Sequence, residues 1–199
     1  MMKIIDSILN RITMFRLILY CSIMLWVVGL VLSSIGLLAY SPIDFLLSGS
    51  IILFVCWLTN IIFAKAFEAP VNIESVYITA VILALIISPI SLFATDIYGK
   101  LGFLILASVW AIASKFIIVI KKKHIFNPAA LAVALAVILI NQSASWWIGT
   151  LAMLPFVLIA GVLIVRKVQR EDLFFSFLSA AVVVILTAAA LNGTNNISI

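Results

Sequence analysis

The chain has 199 residues, 66% of them hydrophobic and only 10% charged, with a net charge of +5. Mean hydropathy is +1.38, whereas a soluble domain is about 45–50% apolar and about 25% charged. This excludes a soluble enzyme, a secreted disulfide scaffold and a disordered chain, and it points to an all-α integral membrane protein with the lipid bilayer as its first partner.

At the N-terminus, Ile4, Ile5, Ile8, Leu9 and Ile12 recur at helical spacing with Lys3, Asp6 and Arg11 between them. Residues 1–14 therefore read as a short interfacial amphipathic helix. Seven apolar segments follow, at approximately 17–39, 45–66, 76–94, 101–120, 127–140, 147–166 and 172–191. In lipid a lone segment satisfies its backbone only as helix, so all seven are expected to be helical. Together they form a transmembrane domain over 15–192, followed by a polar tail at 193–199. The first segment is too long for a signal-peptide core, and no A-x-A site follows it.

Lysine and arginine set the expected orientation. Lys3, Arg11, Arg16, Lys65, Lys121, Lys122, Lys123, Arg166, Lys167 and Arg170 fall on one side if seven helices alternate; Lys100 falls on the other. The positive-inside rule then puts the N-terminus in the cytoplasm and the C-terminus outside, in the inner (cytoplasmic) membrane. With the basic residues read as topology signals, and no basic groove interleaved with aromatics, no nucleic-acid partner is expected.

Cys21 and Cys56 lie inside apolar runs, outside any C-x-x-C pair, and read as packing residues. The seven carboxylates, Asp6, Asp44, Glu68, Glu74, Asp96, Glu171 and Asp172, all fall at or beyond segment ends. A carboxylate proton relay through the bilayer is thus disfavoured. No dinucleotide, P-loop, zinc-protease or nucleophile-elbow motif is present, so no catalytic residue is assigned.

Chemistry-bearing residues cluster around segments three to five. Segment three is interrupted by Pro89, and Ser75 and Thr79 share one face near its start. Thr79 reads either as a site residue or as a hydroxyl bonded back to its own helix. Lys115 lies inside segment four, about 9 Å below Lys121. It either snorkels toward that end or serves a site. Asn127-Pro128 reads as an N-cap followed by the first helical position. Segment five is only about 21 Å long, against a hydrocarbon core of roughly 30 Å. Its positive end, beside Lys121–Lys123 and His124, suits an anion or a ring gaining negative charge. The plain alternative is an ordinary cap with headgroup-anchoring lysines. Short or proline-broken segments are also what sequence offers as a pointer to a binding site. Trp146 and Trp147 fall near the outer interface, as an aromatic belt or as a ring-stacking surface.

At these residues the chain resembles the NqrB/RnfD family, membrane components of the sodium-pumping NADH:quinone reductase and of the Rnf electron-transport complex. Lys115 followed by His124-Ile125-Phe126-Asn127-Pro128-Ala129 is similar to one family block. Glu74-Ser75-Val76-Tyr77-Ile78-Thr79-Ala80 with Ser88-Pro89 is similar to another. The likeness spans roughly 70–191.

The resemblance implies an inverted-repeat bundle in which the chain supplies the first repeat and part of the second, with further helices or a reductase domain beyond it. It implies a flavin, riboflavin or FMN, near Asn127, with Ser75, Thr79, Lys115, His124, Phe126 and, loosely, Trp147 as the other site residues. Members often attach FMN to a threonine on the loop after helix five. Here that loop is Asn141-Gln142-Ser143-Ala144-Ser145, without threonine, so the flavin is expected to be non-covalent.

The function expected is a flavin-binding module of a redox electron-transport system, with or without a coupled ion, as the membrane component of a flavin-dependent oxidoreductase. Its partners would be other redox proteins of the same complex or an NAD(P)H reductase domain. The alternatives are a solute channel or transporter of similar broken-helix build, and a membrane anchor for a reductase domain.

Overall fold

The computed structural model describes residues 12–70, 73–91, 96–120, 123–124, 126–140 and 146–195. Seven α-helices occur among them: α1 (Met14–Ser34), α2 (Pro42–Ala66), α3 (Ile73–Ile86), α4 (Ile97–Ile117), α5 (Pro128–Ile140), α6 (Leu154–Val168) and α7 (Glu171–Asn195). A two-residue antiparallel hairpin, β1 (Val119–Ile120) with β2 (Lys123–His124), joins α4 to α5. One 3-10 turn covers Trp147–Gly149. Four helices, α1, α2, α4 and the Glu171–Ala188 part of α7, are long and apolar enough to cross a membrane, whereas α3 and α5 are shorter apolar helices. The expected interfacial helix at 1–14 falls mostly outside the described residues.

Contacts divide the chain into two compact units, one of Phe15–Ala160 and one holding Met1–Met14 and Gly161–Ile199. The boundary falls within α6. In the smaller unit, α7 begins with Glu171 and Asp172, where carboxylates complement the positive helix end. Its Phe175, Phe177 and Val183–Leu186 are exposed, as side chains that face hydrocarbon should be.

The larger unit is held by one core drawn from α2, α3, α4 and α5. The most extensive pairing is α4 with α5, and what these helices bury is largely alanine: Ala107 and Ala111 on α4, and Ala129, Ala132 and Ala136 on α5. Lipid gives helices no hydrophobic drive to associate, so small residues that let backbones approach closely take over that role. Cys56 and Cys21 are buried and unpaired as packing residues.

Helix ends follow local chemistry. Ser41 and Asp44 form a capping box at α2, with Pro42 at the first helical position. Asp96 accepts from Gly99 N–H at 3.2 Å to start α4. The described carboxylates sit at or just beyond helix ends, in agreement with the sequence reading.

Several segment limits differ from that reading. α1 stops at Ser34 rather than 39, because Gly36 adopts φ +76° and turns the chain, and Ser33 Oγ donates to the Tyr40 carbonyl. α4 ends at Ile117, where Ile118 N–H closes the last turn on Ser114 O at 2.9 Å, and the chain enters the hairpin instead of staying helical to 120. Residues 147–153 form turns rather than the start of helix six. Segment three extends to 94 by its apolar run, yet α3 ends at Ile86, because the Pro89 ring excludes continuation of the helical ladder. The backbone groups freed by that break are recovered by neighbours. Ser48 Oγ accepts from Ile90 N–H at 2.8 Å, and Trp147 Nε1 donates to Ala84 O at 2.9 Å.

Candidate functional site

Three helix ends surround one cleft of about 590 Å³. α3 contributes its first turns, α4 its last turn through Lys115, and α5 its start. Phe15 of α1 also borders the cleft.

On α3, Glu74, Ser75, Ile78, Thr79 and Ile82 face the cleft, a stripe at helical spacing. The Thr79 hydroxyl donates to Ser75 O at 2.9 Å, so the back-bonded reading of that hydroxyl holds. Lys115 reaches across from α4, and its ammonium donates to Ser75 O at 2.8 Å and to Ser75 Oγ at 3.0 Å. These are neutral oxygens, so the positive charge keeps its attraction for an anionic or electron-rich ligand. At the rim, Arg16 Nε lies 3.5 Å from Glu74 Oε1. Both side chains are substantially exposed, so the pair contributes little to stability.

Asn127 caps α5 as its sequence position requires. Its Oδ1 accepts from Ala129 N–H at 3.1 Å and from Ala130 N–H at 3.5 Å, while Pro128 opens the helix. The cap uses the amide oxygen, so the amide NH₂ is the part of this side chain that can donate to a ligand. Beside Glu74, Ser75, Thr79, Lys115 and Asn127 the wall is apolar, with Phe126 exposed. A mostly apolar pocket of roughly 300–1,000 Å³ with a few placed polar groups is the usual form of a small-molecule site. The ammonium of Lys115 and the Asn127 amide can donate to a ligand's acceptors, and the Glu74 carboxylate lies in the same lining as an acceptor.

Five of the seven residues singled out from sequence, Ser75, Thr79, Lys115, Phe126 and Asn127, thus line one cleft. The side chain of His124 lies outside the described residues, as do those of Lys121–Lys123. Trp147 is placed elsewhere. It is 2% exposed, its ring packs edge-on to Phe45 at 4.7 Å, and its N–H is bonded to Ala84 near the far end of α3. It is therefore neither a belt residue nor a wall of this cleft, whereas Trp146 is 65% exposed, as a belt ring would be. Sequence reasoning missed Phe15, Arg16, Ile78 and Ile82. The last two were discoverable, since they continue the helical stripe of Ser75 and Thr79; Phe15 and Arg16 reach the site only through tertiary packing.

Among the described residues no group of three or more His, Cys, Asp or Glu side chains could hold a metal ion. Compared with family models, curated proteins and solved structures, the chain finds no match, and the cleft's own geometry is what its function must be argued from.

Proposed function

We propose that the chain is a flavin-binding membrane module of an electron-transport system, holding riboflavin or FMN non-covalently in the cleft. One observation carries the reading: Ser75 on α3 borders the same ligand-sized cavity as Lys115, 40 residues further along the chain, and the Asn127 cap. The resemblance of the Glu74–Ala80 and His124–Ala129 segments to the flavin-bearing membrane components of the sodium-pumping reductase and Rnf complexes supports it. The flavin would supply the redox chemistry. The chain's own residues bind and orient it: the Asn127 NH₂ donates to a ring carbonyl, Lys115 favours a ring that gains electron density, and Phe15, Ile78 and Ile82 exclude water. Partners on this reading are further redox proteins of the complex or an NAD(P)H reductase domain. Purified protein should show flavin absorbance, and denaturation should release all of it into the supernatant. Protein that stays colourless after incubation with riboflavin and with FMN overturns the proposal; flavin fluorescence on the denatured chain overturns its non-covalent part.

The same reading has all seven helices across the inner membrane, N-terminus in the cytoplasm and C-terminus outside, on the strength of the lysine and arginine asymmetry. A single cysteine introduced at Lys122 should react with an impermeant maleimide in inverted vesicles and not in intact cells. The opposite pattern would reverse the orientation.

A second reading, a solute transporter, is favoured by the break of α3 at Pro89 and the 13-residue length of α5. Colourless protein that moves solute in liposomes would put this reading first.

A further inference from the structure

Glu74 is the one carboxylate among the described residues that line the cleft. It stands in the first turn of α3, where the positive helix end stabilises negative charge. Its side chain is 42% exposed, yet Oε1 is buried 3.5 Å from Arg16 Nε and accepts no hydrogen bond among the described residues. The carboxylate is therefore open to a ligand through its other oxygen, Oε2. The other side-chain oxygens of the lining are already engaged. The Thr79 hydroxyl donates to Ser75 O, Ser75 Oγ accepts from Lys115, and Asn127 Oδ1 caps α5.

The donors of the cleft lie beside this acceptor. Lys115 is bonded to Ser75, the residue next to Glu74, so an ammonium and a carboxylate border the cavity together. The Asn127 amide belongs to the same lining. A ligand matched to this set carries a donor as well as acceptors. The pyrimidine edge of an oxidised flavin does so, with two ring carbonyls and, between them, the single N–H of the ring, at N3. That N–H is fixed in the ring plane and cannot turn away in search of water. In a mainly apolar cleft it binds well only if the wall supplies an acceptor. The hydroxyls of the ribityl chain rotate and are under no such constraint.

Building on the flavin reading above, we infer that Glu74 is a specificity-determining residue of the cleft, accepting from the ring N3–H while Lys115 and the Asn127 amide donate to the flanking carbonyls. A hydrogen bond to a charged acceptor is among the stronger ones available to a neutral ring, so the carboxylate selects rings that keep this N–H.

The test titrates the full chain in detergent with riboflavin, N3-methylriboflavin and lumiflavin, which lacks the ribityl chain, and reads Kd from flavin fluorescence. Methylation removes the donor and sets a methyl group against the carboxylate. The parent should therefore bind N3-methylriboflavin at least about tenfold more weakly than riboflavin. Glu74→Leu should bind these two nearly equally, with riboflavin the one that weakens. Glu74→Gln retains an acceptor oxygen and should retain the preference. The readout is a ratio between two ligands on one protein, which a merely structural role of Glu74 would not move, and gel filtration checks each variant. Lumiflavin keeps N3–H and should weaken in Glu74→Leu as riboflavin does. Equal binding of riboflavin and N3-methylriboflavin by the parent overturns the inference and leaves the flavin reading standing. Lumiflavin affinity unchanged in Glu74→Leu also overturns it, and puts the carboxylate on the ribityl chain. A parent that binds none of the three overturns the inference and the flavin reading together.

Discussion

Replacing Trp147 with alanine is expected to lower the stability of the larger unit by about 3–5 kcal/mol, the cost of emptying a fully buried aromatic site. The ring sits against Phe45, its N–H holds the Ala84 carbonyl, and the backbone of Gly29 leaves it just enough room. A Cβ at Gly29 would lie 2.5 Å from the ring, so Gly29→Val should also destabilise. The two changes should not add, because the valine partly fills the space the ring vacates. Trp147→Phe keeps most of the volume and strands the carbonyl, which should cost about 1–3 kcal/mol. Unfolding in detergent micelles measures all four proteins. A Trp147→Ala protein that unfolds with the parent would show that the ring is not a fixed part of the core.

Asn127→Leu should lower flavin occupancy by about an order of magnitude or more on the proposed function. The change removes the cap, about 0.5–2 kcal/mol, and a ring contact, about 0.5–1.5 kcal/mol, and each 1.4 kcal/mol is tenfold in binding. Asn127→Asp preserves the cap oxygen and replaces the donor with a second acceptor, so it should fold like the parent and still lose flavin. Lys122→Gln, five residues before Asn127 in sequence and not among the predicted site residues, should change occupancy far less. Flavin per folded chain after gel filtration is the readout. If Asn127→Leu and Asn127→Asp both fold and keep full flavin, the binding site is not at the start of α5.

Local chemistry makes part of this protein readable in advance. Asn127-Pro128 announces a helix start because a cap acts over three residues. The break of α3 is carried by Pro89 alone, although the chain leaves the helix three residues before the proline, earlier than the apolar run suggests. Other features depend on groups that meet only in three dimensions. Lys115 and Ser75 are both visible in the sequence, but their bond joins residues 40 apart. Trp147 looks like an interface residue beside Trp146, and its burial is decided by a carbonyl 63 residues away. Of the hairpin, only strand β1, Val119–Ile120, ends a run apolar enough to pass for helix; its partner Lys123–His124 lies beyond that run.

The mended end of α3 also bears on how the chain is made. A helix of 14 residues is about 21 Å long, too short to settle across a bilayer by itself. Of the two groups that secure its far end, Ser48 is synthesised before it, but Trp147 leaves the ribosome some sixty residues after it. The α3 carbonyl must therefore wait in the inserted but unfinished chain until α4 and α5 have followed. Stable placement of α3 is a late step in biogenesis, and a nascent chain stopped short of Trp147 would present that unsatisfied end to membrane quality control.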